Sequence, residues 1–316
     1  IGGLKIGIGK SVSVASDRNL GGAANVVTLD GGYLRATLSF DTDKSFNLAS
    51  AGGIISTDAN AMVSLDGALD GIGGLMKDGA GTLIVTGVSS YAGATFVDEG
   101  RLQIDGGGSI ASSSSLTVRN GATLAGSGTV GDTTVELGGR IAPGSSIGTL
   151  TVDGDLTLSA GAWLDYEFGS SGSAGDPASG NSDRIVVNGD LSLNGNLNLL
   201  QSGDAADGQA GFGYYRLMTY TGTLSGAGLT IGSTPAMQEP AAYQIQAGPG
   251  RIDLFVGAAG DNTIQHWQGG NGTWGAGNTN WLNQGGPIPA TWAGNTAIVA
   301  VLATLGTVLT SMMAGY

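Results

Sequence analysis

Gly144-Ser145-Ser146-Ile147-Gly148 has the form Gly-x-Ser-x-Gly, the pattern of a nucleophile elbow. An elbow needs a strand-to-helix turn beneath the serine and a histidine base held by a carboxylate. Here Thr149-Leu150-Thr151-Val152-Asp153-Gly154 reads as a strand and a turn, and the single histidine, His266, lies far along the chain. Ser146 is therefore expected at a backbone corner, not in a catalytic triad. Gly9-Lys10-Ser11 has the ending of a phosphate-binding loop, but Leu4 stands where the opening glycine is required and Val12-Ser13-Val14 continues as strand. The acid pairs Asp41/Asp43, Asp98/Glu99 and Asp153/Asp155 could serve glycosidase chemistry, which needs two carboxyls at a set separation. Carboxylates in solvated turns are the commoner use of that pattern. Neither an EF-hand loop nor a Gly-Gly-x-Gly-x-Asp array is present, so no metal and no cofactor is expected.

Four of the five tryptophans, Trp267, Trp274, Trp281 and Trp292, fall in one late segment, the first three at intervals of seven. They are candidate ligand-contact aromatics, because an indole face stacks on sugars, although rings that fill the end of a stack would look the same. A coiled-coil heptad is excluded by the glycines between Gly269 and Gly277.

The elements that must hold these residues follow from composition. Sixty of 316 residues are glycine and only seven are proline, with no three-residue glycine period, which excludes collagen. A hydrophobic content of 41% is too high for a disordered linker. Many short strands joined by tight corners remain, with glycine supplying left-handed backbone. Helix signals are nearly absent. The formal charge of −13 argues against nucleic acid as a partner, since phosphate binding needs clustered Lys and Arg. The absence of cysteine excludes disulfides, thiolate metal sites and cysteine nucleophiles.

Apolar bursts recur in a common frame: Thr95-Phe96-Val97 with Gly100 and Leu102, Leu116-Thr117-Val118 with Gly121 and Leu124, Thr133-Thr134-Val135 with Gly138 and Ile141, Leu150-Thr151-Val152 with Gly154 and Leu156. A loose recurrence of this kind marks a solenoid, in which each unit buries its apolar face only against its neighbour. Alternation within the bursts sends Val97, Leu102, Leu116, Val118, Val135, Ile141, Leu150, Val152, Leu156 and Leu158 into one core. Gly169 to Ser182 reads as a mobile surface loop.

One stretch carries a family pattern. Leu75, Lys77, Gly79, Gly81, Thr82, Leu83, Val85, Gly87, Tyr91, Gly93, Thr95, Val97, Gly100 and Leu102 match, at fixed spacings, the passenger-associated transport repeat of bacterial autotransporters. On these residues the chain resembles an autotransporter passenger, the exported part of a type V secretion protein. The likeness is close over residues 73–104 and extends more weakly over about 73–200, including Ala142 to Leu150 and Ser182 to Gly189.

The expected architecture is all-β, a right-handed single-stranded parallel β-helix of about 20 residues and ~4.8 Å per rung, with about thirteen rungs over residues 1–257. Residues 258–316, rich in Trp, Gly and Asn, are expected to open a second, truncated block. The resemblance implies a non-catalytic, surface-exposed or secreted stalk or adhesin, with host or neighbouring cells as partners. It also implies a signal peptide and a C-terminal outer-membrane β-barrel translocator outside this chain, which opens at Ile1 and reads as an internal piece of a longer polypeptide. Two alternatives stand beside it: a β-helix enzyme acting on polysaccharide, and a membrane-anchored surface protein using the uncharged stretch 297–316.

Overall fold

A computed structural model describes residues 3–173, 175–236 and 241–258, together with the backbone of four short strands, Gln265–Trp267, Trp281–Asn283, Pro289–Ala290 and Ala297–Ile298. Among the described residues strand follows strand, and the only helical turns are short 3-10 ones at Asp17–Leu20, Pro177–Ser179 and Ala205–Asp207. Glycine recurs too often for helix propagation, while Val, Ile, Leu and Thr favour the pleated surface.

The strands stack in parallel into a three-faced solenoid. The first face has ten strands, from Ser11–Val14 to Leu224–Ser225, and the second has nine, from Phe40–Thr42 to Thr230–Ile231. The third face comes in two parts: four strands from Lys5–Gly7 to Leu69–Gly71, then seven beginning at Ser109–Ile110. Residues 88–92 join the parts without a named strand. Ser90 N donates to Leu69 O at 2.9 Å on one side, and Val88 bridges Ser109 in parallel on the other.

Period-two alternation fills the interior. Leu116 and Val118 are buried while Thr117 between them faces outward, and Leu150, Val152, Leu156 and Leu158 repeat the pattern. All ten positions expected in the core are at most 1% exposed and belong to one apolar cluster that runs from Ile6 to Val256. Burying each such side chain stabilises the fold by roughly 1.5–3 kcal/mol, so every rung depends on the one above and below it.

The stack differs from expectation in three respects. It holds ten rungs on its longest face, not about thirteen, because rung length runs from 17 residues, Leu116 to Thr133, to 35, Leu156 to Leu191. The late rungs are long because chain is inserted between the second and third faces on consecutive rungs, after Trp163–Phe168 and again after Asn196–Gln201. The first insertion, expected as a mobile loop, is tied down: Gly172 N donates to Tyr214 O at 2.7 Å and Asn181 N to Ser170 O at 2.8 Å. Finally, the third face ends in an antiparallel hairpin. Arg251–Ala258 pairs antiparallel with both Gly213–Tyr220 and Ala241–Gly248.

Candidate functional site

The transport-repeat pattern maps onto two consecutive rungs. Leu75, Leu83, Val85, Val97 and Leu102 are interior residues, as their spacing requires. Less expected is that the interior of these rungs also holds polar groups. Lys77 is fully buried, and its Nζ donates to the carbonyl oxygens of Asp78 (2.8 Å), Gly79 (2.6 Å) and Glu99 (3.0 Å). Asp78 closes its first-face strand, whereas Gly79 and Glu99 lie beyond strand ends, at the turn from the first face to the second, and no described backbone amide donates to their oxygens. The ammonium bonds all three at once and, by reaching both Gly79 and Glu99, fastens one rung to the next. Burial pushes Lys77 down to about 8, against the upward pull of the Asp78 and Glu99 carboxylates.

Tyr91 and Thr95 form a second buried polar unit. The Tyr91 hydroxyl lies 2.6 Å from Thr95 Oγ1, which lies 2.8 Å from Ser113 Oγ, and Ser113 Oγ donates to the carbonyls of Gly93 (2.9 Å) and Ser115 (3.0 Å). The chain of hydroxyls starts in the segment that interrupts the third face and delivers its last proton to backbone. Burial pushes the Tyr91 phenol up to about 12. The glycines of the pattern sit where chain approaches chain. Gly100 has φ +68°, and a Cβ there would lie 2.4 Å from the carbonyl oxygens of both Gly79 and Gly81.

Ser146 occupies the corner between Arg140–Pro143 on the second face and Thr149–Val152 on the third, with Gly144 at φ +77°. No helix follows it, and its hydroxyl donates to Asp207 Oδ2 at 3.3 Å. Asp207 also accepts from Ser202 Oγ at 2.6 Å and Asn181 Nδ2 at 2.8 Å. These bonds hold the carboxyl below its ordinary range, Ser202 contributing most. Of His266 only its strand backbone is described, paired opposite Leu282. Among the described side chains the serine therefore has a carboxylate but no imidazole.

The acid pairs are divided among structural tasks. Asp98 meets Arg119 Nη1 at 2.7 Å. Asp155 belongs to a ladder that sequence reasoning missed: Asp132 Oδ1 accepts from Asp155 N (2.9 Å), Asp155 Oδ1 from Asp190 N (2.7 Å), and Asp190 Oδ1 from Thr223 N (2.7 Å). The signal was present as Gly-Asp at 131–132, 154–155 and 189–190, each immediately ahead of a first-face strand, Thr133–Val135, Leu156–Leu158 and Leu191–Leu193. Each carboxylate caps the amide just ahead of the first-face strand of the next rung.

Asp183 was also missed. Buried at the end of the first insertion, it accepts from Gly148 N at 2.9 Å and Glu167 N at 2.7 Å. Burial pushes it up to about 8, with the Glu167 and Asp207 carboxylates adding to the rise and the two amides opposing it. Among the described residues no group of three or more His, Cys, Asp or Glu side chains could hold a metal ion. Trp274 and Trp292 lie outside the described residues. Trp267 and Trp281 are known here by backbone alone, as cross-strand partners in an antiparallel pair. Of the stretch 297–316, only Ala297–Ile298 is described, as a short strand. No helix among the described residues is long and apolar enough to cross a membrane.

The passenger-associated-transport-repeat family model matches residues 75–104, the two rungs that carry the lysine nest and the hydroxyl chain. The chain is autotransporter passenger sequence. Over 250 residues, 72% of this chain, it is 38% identical to the adhesin BmaC autotransporter of Brucella suis biovar 1 (strain 1330). It is also 39% identical over 140 residues, 43% of this chain, to an extracellular serine protease of Serratia marcescens. The matches span 7% of the first relative and 13% of the second. A passenger of this kind resides at the bacterial cell surface or is secreted from it.

Proposed function

We propose that this segment acts as a non-catalytic, extended β-helical stalk with an adhesive role, holding surface regions away from the outer membrane. The observation that carries this reading is the unbroken core from Ile6 to Val256, which makes the described part a rod built from stacked rungs. Ten strands at ~4.8 Å give a first face on the order of 45 Å long. The likeness to a named adhesin over 72% of the chain supports the adhesive part. In the full protein a C-terminal β-barrel translocator would be the export partner, and the cell-facing partner would be a host or neighbouring cell. The boundary near residue 257, with a second block beyond it, belongs to the same proposal.

Likeness to a serine protease raises a second reading, hydrolysis. Against it stands the Ser146 corner, where the hydroxyl donates to Asp207 and strand follows instead of helix. Displaying the segment on cells behind a translocator, and scoring adherence to epithelial and to sister cells alongside peptidase and polysaccharide-cleavage assays, tests both. Adherence without turnover supports the stalk-adhesin reading; turnover that depends on Ser146 replaces it.

A further inference from the structure

Period-two alternation turns one residue of each first-face strand outward, and strand register stacks these residues in a column along the rod. In four consecutive rungs the column is apolar: Tyr33 lies in register with Ile54, Ile54 with Met76, and Met76 with Phe96. Each is half-buried between inward neighbours that are buried. In the rungs that follow, the same position holds Thr117, Thr134, Thr157 and Ser192. The position therefore faces outward throughout, and only its first part is apolar. No long side chain crowds that part from the third-face side, where the residue two ahead of each is Gly31, Gly52, Gly74 or Ala94. Around that corner Ile8 and Ile72 are 76% and 74% exposed and widen the apolar surface. The stripe itself is held in place: the Tyr33 hydroxyl donates to Asp78 Oδ2 at 2.7 Å, and the Arg119 guanidinium lies 4.6 Å from the centre of the Phe96 ring. An outward apolar surface whose side chains are already fixed marks an interface that loses little freedom on binding.

We propose that this stripe packs on the same stripe of a second copy of the chain, with the two rods antiparallel. The inference goes beyond the stalk reading and does not rest on adhesion. Both stripes repeat at ~4.8 Å, so the two copies match in pitch. A two-fold axis that runs along the strand direction between Ile54 and Met76 sets Ile54 against Met76 and Tyr33 against Phe96, each pair occurring twice. Two residues further along the strands, the same axis sets Arg35 against Asp98, which lies one residue past Val97 in the register. These side chains are 50% and 26% exposed, in ion pairs with Asp58 and Arg119, so each end of the stripe presents a charge to its opposite. Parallel rods would lay both charges over the glycine flank instead. A bilayer would have to take up the Asp78 and Asp98 carboxylates at the edge of the stripe. Charge complementarity therefore selects the antiparallel copy.

Sedimentation equilibrium of the full chain over about 1 to 300 µM tests this. The contact is small, so the expected result is a reversible dimer with a dissociation constant on the order of 10–100 µM. Later rungs carry threonine at the same outward position, so Ile54→Thr combined with Met76→Thr keeps the strands and should weaken the dimer about tenfold or more. Thr157→Ala, beyond the stripe, should leave it unchanged. Arg35→Glu should weaken it about fivefold, and adding Asp98→Arg should restore it. Hydrogen exchange in Leu75–Asp78 confirms that the variants stay folded. Because the chain has no cysteine, a spin label at Thr134→Cys reads the orientation. That position lies three and a half rungs from the axis in each copy, so antiparallel rods hold the two labels about 35 Å apart and parallel rods within about 15 Å. Four results overturn the proposal: a chain that stays monomeric, including one that floats with zwitterionic vesicles instead; a dimer indifferent to the Ile54 and Met76 changes; no rescue by Asp98→Arg; or the short label distance. Cell adherence is scored apart. A dimer without adherence removes the adhesin reading alone, and adherence by a monomeric chain removes this inference alone.

Discussion

Lys77 and Asp183 are both buried ionisable side chains placed at corners, and they solve opposite problems. At the first-to-second corner the turn leaves carbonyl oxygens without donors, and an ammonium fills the gap with three bonds. At the second-to-third corner the insertion leaves amides without acceptors, and a carboxylate takes Gly148 N and Glu167 N. A parallel solenoid closes its ladders along the faces but cannot close them at every turn, and an unpaired buried polar group costs roughly 1–3 kcal/mol. The comparison teaches that the rod is held at its corners by side chains standing in for missing backbone partners. The lysine corner ties neighbouring rungs through residues of the family pattern. The aspartate corner ties an insertion to the rung before it.

The largest effect should come from removing the lysine. Lys77→Met keeps the apolar stem and deletes the head, leaving the Gly79 and Glu99 carbonyls without a donor, a loss on the order of 3–5 kcal/mol. Because solenoid stability is a sum over neighbouring rungs, hydrogen exchange is the better measurement than a single melt. Protection should collapse across residues 75–104 while Leu191–Leu199 is affected less. Equal loss along the rod would mean that Lys77 is no local fastening.

Gly100 lies next to Glu99 in the same corner, and it sharpens the lysine half of the comparison against Gly121 one rung on. Both have positive φ, but a Cβ at Gly100 strikes two carbonyl oxygens at 2.4 Å, whereas at Gly121 it meets nothing within 4 Å. Valine at 121 should cost about 1–2 kcal/mol for the left-handed backbone alone. Valine at 100 adds displacement of the Gly79–Gly81 turn and should cost more than twice as much. Similar losses in denaturant titrations would show that crowding at the lysine corner is relieved by relaxation.

At the aspartate corner Asp183→Asn keeps one acceptor but turns an NH2 toward the other amide, costing about 2–3 kcal/mol above pH 8, where the parent carboxyl is ionised, and less below it, where that carboxyl carries a proton of its own. Its pH signature is distinctive. The folded carboxyl titrates near 8 against an ordinary 3.8, so the native state holds an extra proton between those values. That contribution is fully present below about pH 4 and is lost as pH rises toward 8. Lys77 behaves oppositely: titrating near 8 against 10.5, it makes stability climb as pH rises from about 8 to 10.5. Local exchange around Gly148 and Glu167 should lose protection with rising pH in the parent chain and become flat in the variant. A slope unchanged in the variant would assign it to another group.

The legible part of this fold is the part that repeats. Leu116-Thr117-Val118 and Thr133-Thr134-Val135 alternate with period two between glycine corners, so their burial follows from sequence. In the hairpin at Ala241–Gly248 and Arg251–Ala258 the direction is not legible, because alternation is the same in parallel and antiparallel strands and only the short Pro249-Gly250 turn distinguishes them. The rung count failed because insertion length is invisible to periodicity. Lys77 was marked by the family pattern, yet its burial was not foreseen, since a lone lysine reads as solvated until corner carbonyls surround it. Asp183 falls within the Ser182 to Gly189 likeness, but nothing in the sequence marks it as buried, because its partner Gly148 comes from a full rung earlier.

Ser146 gives the smallest expected effect and probes how far the aspartate corner extends. Its hydroxyl makes a 3.3 Å bond to Asp207, a carboxylate that keeps Ser202 and Asn181 when Ser146 is gone. Deleting one of three donors to a partly exposed acid should cost no more than about 0.5 kcal/mol. Ser146→Ala should therefore leave protection at Gly148, two residues away, nearly unchanged, because that amide is held by Asp183. Any hydrolytic activity of the chain should be unchanged too, since the hydroxyl has an acid beside it but neither an elbow nor a described base. If instead the variant loosened Gly148 as much as Asp183→Asn does, the corner would be one cooperative polar network. Asp183 and Lys77 would then cease to be comparable single fastenings.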